Sequence, residues 1–591
     1  MKFTDVLIKI VEIIGIDTGF GVTGGYAMHI NESFANSNII KKVYNHHEQA
    51  SIFSAIGYYK SSTKIPVVFT TAGCGVTNTI TGIMDCWQDS VPCLILSGQT
   101  KSTKTIENYK RSGKNIRHYS GQDVDIVELV RSITKYSKEI THHDTEEDIR
   151  KILCEAIYHL LTPRFGPVLL SIPLNIQTID ISNHDEIFND IYEIIKNERS
   201  KITDIQDNRV LYDSLYDSFK EKLKFSVKPL ILVGGGVKSS KSCELFKLFI
   251  EKYKIPIVTT YSAIDILPTD NCLYMGRPGI YGDRCGNLTI QKCDLLIIIG
   301  SRASETTLGY NEHLFNSCNK ILIDIDDDVL KIDTIKIDLF IRQDIHSFLR
   351  NIPDYDYEAS NEWLTICKKW KLTHFFDKPI IIPSTTHINP YDFFQEFSRL
   401  MPIESTIIPA AGSIFYVTRH MLEIKEKTKV VMFSQQDLGY ELPASIGAYF
   451  AGNKNIYCFN GDGSIQFNIQ ELQTIVQHNI PVKIIIFNNH KYGCIEVTQN
   501  VYFGKKYGVD KDTGLSFPSF EKISFAYGID YLYVNTIDKI KNIFDVKYDK
   551  NPVIIEIEAE YQDRYPKLGV YINENGEKVP TPFDKMNPQI E

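Results

Sequence analysis

Short, continuously apolar runs of strand length recur along this chain, separated by stretches with helical patterning. Pro66-Val67-Val68-Phe69-Thr70, Pro92-Cys93-Leu94-Ile95-Leu96-Ser97 and Gly166-Pro167-Val168-Leu169-Leu170-Ser171-Ile172 are the clearest early ones. A strand without a polar face must be covered on both sides, and parallel sheets with helical crossovers meet that need. Similar runs stand at Pro229–Val233, Ile255–Thr260, Asp294–Ile299 and Lys320–Asp324, and again near Ile456–Phe459, Val482–Phe487 and Val553–Ile557. The expected fold class is α/β: three doubly wound parallel-sheet domains in series, at about 1–180, 208–352 and 386–560. Charged residues 181–207 read as a linker with some helix, 353–385 as a second connection, and 561–591 as a C-terminal tail.

The rest of the composition narrows the functional classes. A formal net charge of −9 with no basic stripe argues against a nucleic-acid partner. No uncharged apolar run has the length of a bilayer span. Phe3, Val6, Leu7, Ile10, Val11 and Ile14 recur at helical spacing, with Asp5, Lys9 and Glu12 between them. That pattern predicts an amphipathic helix packed on a domain rather than a targeting segment. The 12 cysteines form no CxxC pair and are expected to be reduced and largely buried in a cytoplasmic protein.

The segment with the most chemistry is Ile456-Tyr457-Cys458-Phe459-Asn460-Gly461-Asp462-Gly463-Ser464. A strand enters a Gly-Asp-Gly turn, and a helix is expected next, with Phe467, Ile469, Leu472, Ile475 and Val476 on its apolar side and Asn479 and Pro481 ending it. A second strand then delivers Asn488-Asn489, placing Asn489 27 positions after Asp462. Both polar endpoints follow parallel strands, so both fall at the carboxyl edge of one sheet, where α/β ligands bind. A carboxylate and a neutral amide oxygen suit Mg²⁺, which takes oxygen ligands and shares them with phosphates. The two glycines permit a tight turn and close approach of a diphosphate, and Ser464 adds a hydroxyl.

This segment resembles the signature of thiamine-diphosphate-dependent enzymes of the acetolactate synthase and pyruvate decarboxylase superfamily. The resemblance covers nearly the whole chain and implies pyrimidine-binding, central and diphosphate-binding domains. It implies thiamine diphosphate and Mg²⁺ as cofactors, with Asp462, Asn489 and the carbonyl of Lys491 on the metal. In Tyr44-Asn45-His46-His47-Glu48-Gln49-Ala50, Glu48 matches the carboxylate that activates the cofactor through its aminopyrimidine ring. Val22-Thr23-Gly24-Gly25 resembles the early glycine turn, and Thr71-Ala72-Gly73-Cys74-Gly75-Val76-Thr77-Asn78 the loop that usually carries Pro where Cys74 stands. Gln122 matches a pocket glutamine. Gly412-Ser413 is expected to open a helix at the distal phosphate. In Leu438-Gly439-Tyr440-Glu441-Leu442-Pro443-Ala444, Leu438 is either core or the apolar wedge beneath the cofactor.

By the same resemblance the cofactor-binding set is Gly25, Glu48, Asn78, Gly412, Ser413, Leu438, Gly461, Asp462, Gly463, Ser464, Asn489, Lys491 and Tyr492. The catalytic candidates are Glu48, Gln122 and Glu496, the last either facing substrate or lying on a solvated helix. The implied reaction is decarboxylation or carboligation of a 2-oxoacid such as pyruvate. Its enamine is protonated or adds to an aldehyde, ketone or sugar-type acceptor. Glu48 of one chain is expected beside Asp462 of another, so a homodimer or homotetramer is implied.

Some positions depart from acetolactate synthases. Gly121 replaces their Phe before the pocket glutamine, and Thr498 their Trp. Gly300-Ser301-Arg302-Ala303-Ser304-Glu305 stands where they carry an Arg-Phe-Asp-Asp-Arg-like run that holds FAD, and Gly234-Gly235-Gly236 lacks a full dinucleotide fingerprint. FAD therefore fits the chain less well than thiamine diphosphate does. Gln470–Ile475, Ser516–Phe520 and Asp563-Arg564-Tyr565 through Pro582–Pro588 resemble acetolactate-synthase-like proteins of surface-polysaccharide or nucleotide-sugar synthesis. The alternatives are a FAD-dependent acetolactate synthase or pyruvate oxidase-like enzyme, and a non-catalytic cofactor-binding paralogue.

Overall fold

The computed structural model describes all residues except 204–208, 310–314, 316, 333–334, 375–385, 562–569, 573, 577 and 587–591. Asp563-Arg564-Tyr565 and Asn587-Pro588 lie outside the described residues.

Three parallel sheets follow one another along the chain. The first holds β1 (Thr18–Gly21), β2 (Lys41–Tyr44), β3 (Val67–Thr70), β4 (Leu94–Gln99), β5 (Tyr136–Glu139) and β6 (Val168–Pro173), in the order β2-β1-β3-β4-β6-β5. The second holds β7 (Pro229–Val233), β8 (Ile257–Thr259), β9 (Leu295–Ile299), β10 (Asn319–Asp324) and β11 (Leu339–Arg342), in the order β11-β10-β9-β7-β8. The third holds β12 (Ser405–Ile408), β13 (Lys429–Val430), β14 (Asn455–Gly461), β15 (Val482–Asn488), β16 (Asp530–Val534) and β17 (Val553–Glu558), in the order β13-β12-β14-β15-β17-β16. The central strands β3, β4, β6, β7, β9 and β15 are buried at every position, as their unbroken apolar runs require.

The first and third sheets share one winding order, so equivalent elements can be paired off. Helix 48–62 follows β2 and helix 441–450 follows β13. The two pack face to face and carry Glu48 and Glu441 as their first residues. Gly57 and Gly447 make that approach possible, since Cβ atoms there would meet main-chain oxygens of Ala444 and Ser54.

The N-terminal amphipathic helix spans Phe3–Ile13 and buries Phe3, Val6, Leu7, Ile10 and Val11. Two segments differ from the sequence expectation. Within 181–207, expected as a linker with some helix, a helix runs from His184 to Thr203; Ile187 and Ile191 join the first domain's core, and Phe188, Ile194 and Ile195 pack against it. After the Gly-Asp-Gly turn the chain makes two 3₁₀ turns, 464–467 and 469–471, before a short helix, 472–477. Phe467 is exposed there, whereas Leu472 and Ile475 are buried.

The tail returns to the middle domain. After the antiparallel pair 570–572 and 578–580, Phe583 and Met586 are buried, Phe583 within the middle-domain core. Lys292 pairs with Asp584 at 2.9 Å, and Arg284 donates to the Met586 carbonyl at 3.3 Å. Among the described residues no helix is long and apolar enough to cross a membrane.

Candidate active site

β12 and β14 lie side by side, yet the chain leaves β12 toward β13 on one flank and continues from β14 toward β15 on the other. Such a switch point opens a crevice at the carboxyl edge of a parallel sheet. Two polar features flank it. Gly412, at φ 74°, caps helix Ser413–Met421. The Gly461–Ser464 turn leaves β14 beside the Asn488–Tyr492 turn leaving β15, with Gly461 in register with Phe487.

Asp462 is buried, and its Oδ2 accepts the Asn489 main-chain N–H at 3.2 Å. Burial pushes its carboxyl up to about 6, while main-chain N–H groups of Gly463, Asn489, His490 and Lys491 pull the other way. One side-chain terminus of Asn489 lies 2.8 Å from the Lys491 carbonyl and 3.3 Å from Asp462 Oδ2. With the amide NH₂ in that place it donates to both. With the amide oxygen there, three oxygen acceptors converge and no donor stands among them. A carboxylate, an amide and a peptide carbonyl are a hard-cation donor set, so these residues fit Mg²⁺.

Gly463 is needed for space rather than for a special φ, which is −84°. A Cβ there would sit 1.9 Å from the Tyr492 ring, so the ring closes directly over the turn. Ser464 Oγ accepts from Gly439 N at 2.9 Å, tying the 461–464 turn to the segment of half-buried Leu438. Leu438 packs against the core shared by the first and third domains. Ser413 Oγ lies 3.0 Å from Cys494 Sγ, bringing the 412–413 helix start to the same spot.

The first-domain candidates form a separate group. Glu48 is buried and accepts from Asn78 Nδ2 at 2.9 Å. Gln122, half-buried, lies over the Gly73–Cys74 loop, and a Cβ on Gly73 would meet its carbonyl at 2.6 Å. Gly25 opens a 3₁₀ turn and has open space at its Cβ position. Within one chain this group touches the third domain beside the 461–463 turn. Gln49 Oε1 accepts from Asn468 Nδ2 at 3.2 Å, and Glu471 accepts from His46 N at 2.9 Å and from Asn45 Nδ2 at 3.0 Å. Among the described residues no hydrogen bond joins Glu48 to Asp462.

Glu496 is ion-paired with Lys491 at 2.7 Å and Lys506 at 3.4 Å. Lys491, then Lys506, holds its carboxyl below the usual range. Sequence reasoning missed both lysine partners and the buried Asp85–Asp437 contact, which joins residues far apart in the chain. A cavity of about 670 Å³ opens at the second sheet's own switch point, lined by Gly235, Lys238, Arg302, Asp324 and Arg164. Gly234 and Gly236 are taken up by contact with Gly300.

An α/β sheet edge with a hard-cation donor set, a helix start and a glycine turn is the kind of site that suits an anionic ligand together with a cation. Comparison with known proteins gives the family. Residues 1–129 match the thiamine pyrophosphate enzyme N-terminal TPP binding domain, 217–352 the central domain, and 410–557 the C-terminal TPP binding domain. Together these cover more than half of the chain, which belongs to the thiamine pyrophosphate enzymes. Similar curated proteins include the acetolactate synthase large subunit of Lactococcus lactis subsp. lactis, 27% identical over 565 residues, covering 94% of this chain and 92% of that protein. The acetolactate synthase isozyme 2 large subunit of Escherichia coli is 24% identical over 554 residues, covering 92% and 93%. The probable acetolactate synthase large subunit of Methanocaldococcus jannaschii is 27% identical over 586 residues, covering 96% and 93%. The chain is an acetolactate-synthase-like, thiamine-diphosphate-dependent enzyme.

Proposed function

We propose that this enzyme decarboxylates a 2-oxoacid such as pyruvate and passes the remaining fragment to a proton or to a second carbonyl compound. The observation that carries this reading is the oxygen cluster of Asp462, Asn489 and the Lys491 carbonyl beside Gly463. Asp462, Asn489 and Lys491 would hold Mg²⁺, with Ser413 and Ser464 near the diphosphate. When bound, thiamine diphosphate supplies a carbon nucleophile and an electron sink for decarboxylation.

The chain's own residues orient and gate that chemistry. Glu48 would hold or take up a proton for the cofactor's ring, and Asn78 holds the Glu48 carboxylate in place. Leu438 would give the cofactor an apolar surface to rest on. Glu496, neutralised by two lysines, orients Lys491 in preference to carrying a proton. The working unit is at least a homodimer, with Glu48 of one copy completing the Asp462 site of another. Two features support this: Glu48 and Asp462 have no mutual bond within one chain, and the helix that follows the Asn488–Tyr492 turn, 493–503, leaves Val501, Tyr502 and Phe503 exposed at its far end.

The acceptor is an aldehyde, ketone or sugar-type carbonyl. Gly121, with open space around its Cβ position, and exposed Thr498 support a roomy mouth. The test is incubation with Mg²⁺, thiamine diphosphate and labelled pyruvate, with and without acceptors, and mass analysis of the products. Labelled carbon dioxide with an aldehyde or a ligated product is expected. No carbon dioxide release from pyruvate or a panel of other 2-oxoacids refutes the proposal.

A further inference from the structure

Asp85 stands on helix 80–88 of the first domain and has no exposed surface. Neither of its carboxyl oxygens receives a hydrogen bond from an N–H or hydroxyl donor. It faces Asp437, which belongs to the connection between β13 and helix 441–450. Two carboxyl groups meeting in a buried place cannot both be ionised cheaply; one proton shared between them turns repulsion into a hydrogen bond.

The other groups around Asp85 are accounted for. Lys60, on helix 48–62, is engaged by Asp89 and the Met432 carbonyl. Asp89 also takes the Ser434 N–H at 3.2 Å and the Ser434 hydroxyl. Gln435 Nε2 donates to Asp437 at 3.1 Å. Cys86 and the Tyr440 hydroxyl, both buried, complete the surroundings. Asp437 is therefore the acceptor that faces the Asp85 proton.

What Asp437 leads into gives the contact its meaning. Leu438 follows, then Gly439, whose φ of 79° places it in the left-handed region. Gly439 N donates to Ser464 Oγ at 2.9 Å, and its carbonyl accepts from Asn468 Nδ2 at 2.9 Å. A Cβ on Gly439 would come within 2.6 Å of Phe467 Cβ. The 437–439 segment is thus pinned on one side by the first domain and on the other by the turn that follows Gly461-Asp462-Gly463.

We propose that Asp85 is a positioning residue for the diphosphate turn: as a neutral acid it donates to Asp437 and holds Leu438 and Gly439 against Ser464 and Asn468. The proposal rests on the thiamine diphosphate reading of that turn. Burial, then the negative charge of Asp437, pushes the Asp85 carboxyl up to about 9 against the opposing pull of Lys60. The clamp is closed at neutral pH and opens as the Asp85 proton leaves in alkaline solution.

The experiment measures thiamine diphosphate binding with Mg²⁺ by calorimetry from about pH 7 to about pH 10, on wild type, Asp85→Asn and Asp85→Ala. Wild-type affinity is expected to fall on the alkaline side. Asp85→Asn keeps a donor that cannot ionise, so it is expected to bind within about threefold of wild type at neutral pH and to lose the alkaline fall. Asp85→Ala is expected to bind about tenfold more weakly at neutral pH. If Asp85→Ala does not fold, the Asn variant carries the test alone. An alkaline fall retained in Asp85→Asn overturns the proposal, as does wild-type affinity in folded Asp85→Ala. Absence of binding by wild type at every pH would instead overturn the cofactor reading.

Discussion

Gly57 and Gly447 mark the places where the first and third domains touch main chain to main chain. A Cβ on Gly57 would lie 2.3 Å from the Ala444 carbonyl oxygen, and one on Gly447 1.8 Å from that of Ser54. Backbone cannot step aside as a side chain can, so the two helices must separate to admit even a methyl group. Gly447→Ala and Gly57→Ala are each expected to destabilise the chain by about 3 kcal/mol. Gly121→Ala, with open space at its Cβ position, is expected to stay within about 0.5 kcal/mol of wild type. Chemical denaturation of the three variants decides; equal midpoints would refute the close-contact account.

Gly463 and Tyr492 stand in a similar relation. Gly463→Ala places a Cβ 1.9 Å from the ring, so it must push the 489–492 loop away from Asp462. Thiamine diphosphate affinity in the presence of Mg²⁺ is expected to fall by about tenfold or more. Removing the ring as well, in a Gly463→Ala/Tyr492→Ala double variant, is expected to restore part of it. A titration showing no recovery in the double variant would count against steric displacement as the cause.

Glu48→Gln keeps the size of the side chain and the contact with Asn78, but removes the exchangeable proton. Turnover is expected to drop by at least about 100-fold while cofactor binding persists. Near-normal turnover would remove Glu48 from the reaction.

Glu441, counterpart of Glu48 at the start of the matching helix, is fully buried, and burial pushes its carboxyl up to about 7. An acid with a raised folded-state value stabilises fully below the unfolded value of 4.5, and that contribution is lost as pH rises through about 7. Glu441→Gln cannot ionise and escapes the loss. It is expected to gain about 2 kcal/mol over wild type on going from about pH 5 to about pH 8. Urea melts at the two pH values check this, and a difference that does not change with pH refutes it.

Much of the fold was legible because its central strands have no polar face. β3, β4, β6, β7, β9, β10, β14, β15 and β17 each contain a run that can only be interior. β1 reads Thr-Gly-Phe-Gly and β2 Lys-Lys-Val-Tyr, too short and too mixed to signal a strand; β11, β13 and β16 fail for the same reason. Apolar spacing after Gly463 predicts a helix, yet Phe467 faces outward and the backbone first tightens into 3₁₀ turns before the short helix 472–477. The Asp462–Asn489 pair was visible because one crossover separates its members. The partners of Glu496 and the contact of Asp85 with Asp437 depend on how loops and domains close over one another, which no local pattern records.

The return of the C-terminal tail carries a consequence for synthesis. Phe583 completes the core of a domain whose other parts were made more than two hundred residues earlier. During synthesis, that domain would lack its cover over helix 284–292 until residues 583–586 emerge. A chain cut short anywhere in the final stretch would leave the Phe583 and Met586 seats empty and apolar. Folding of the middle domain is thereby tied to synthesis of residues 583–586, and a product cut before them would expose apolar surface of the kind that chaperones and proteases act on.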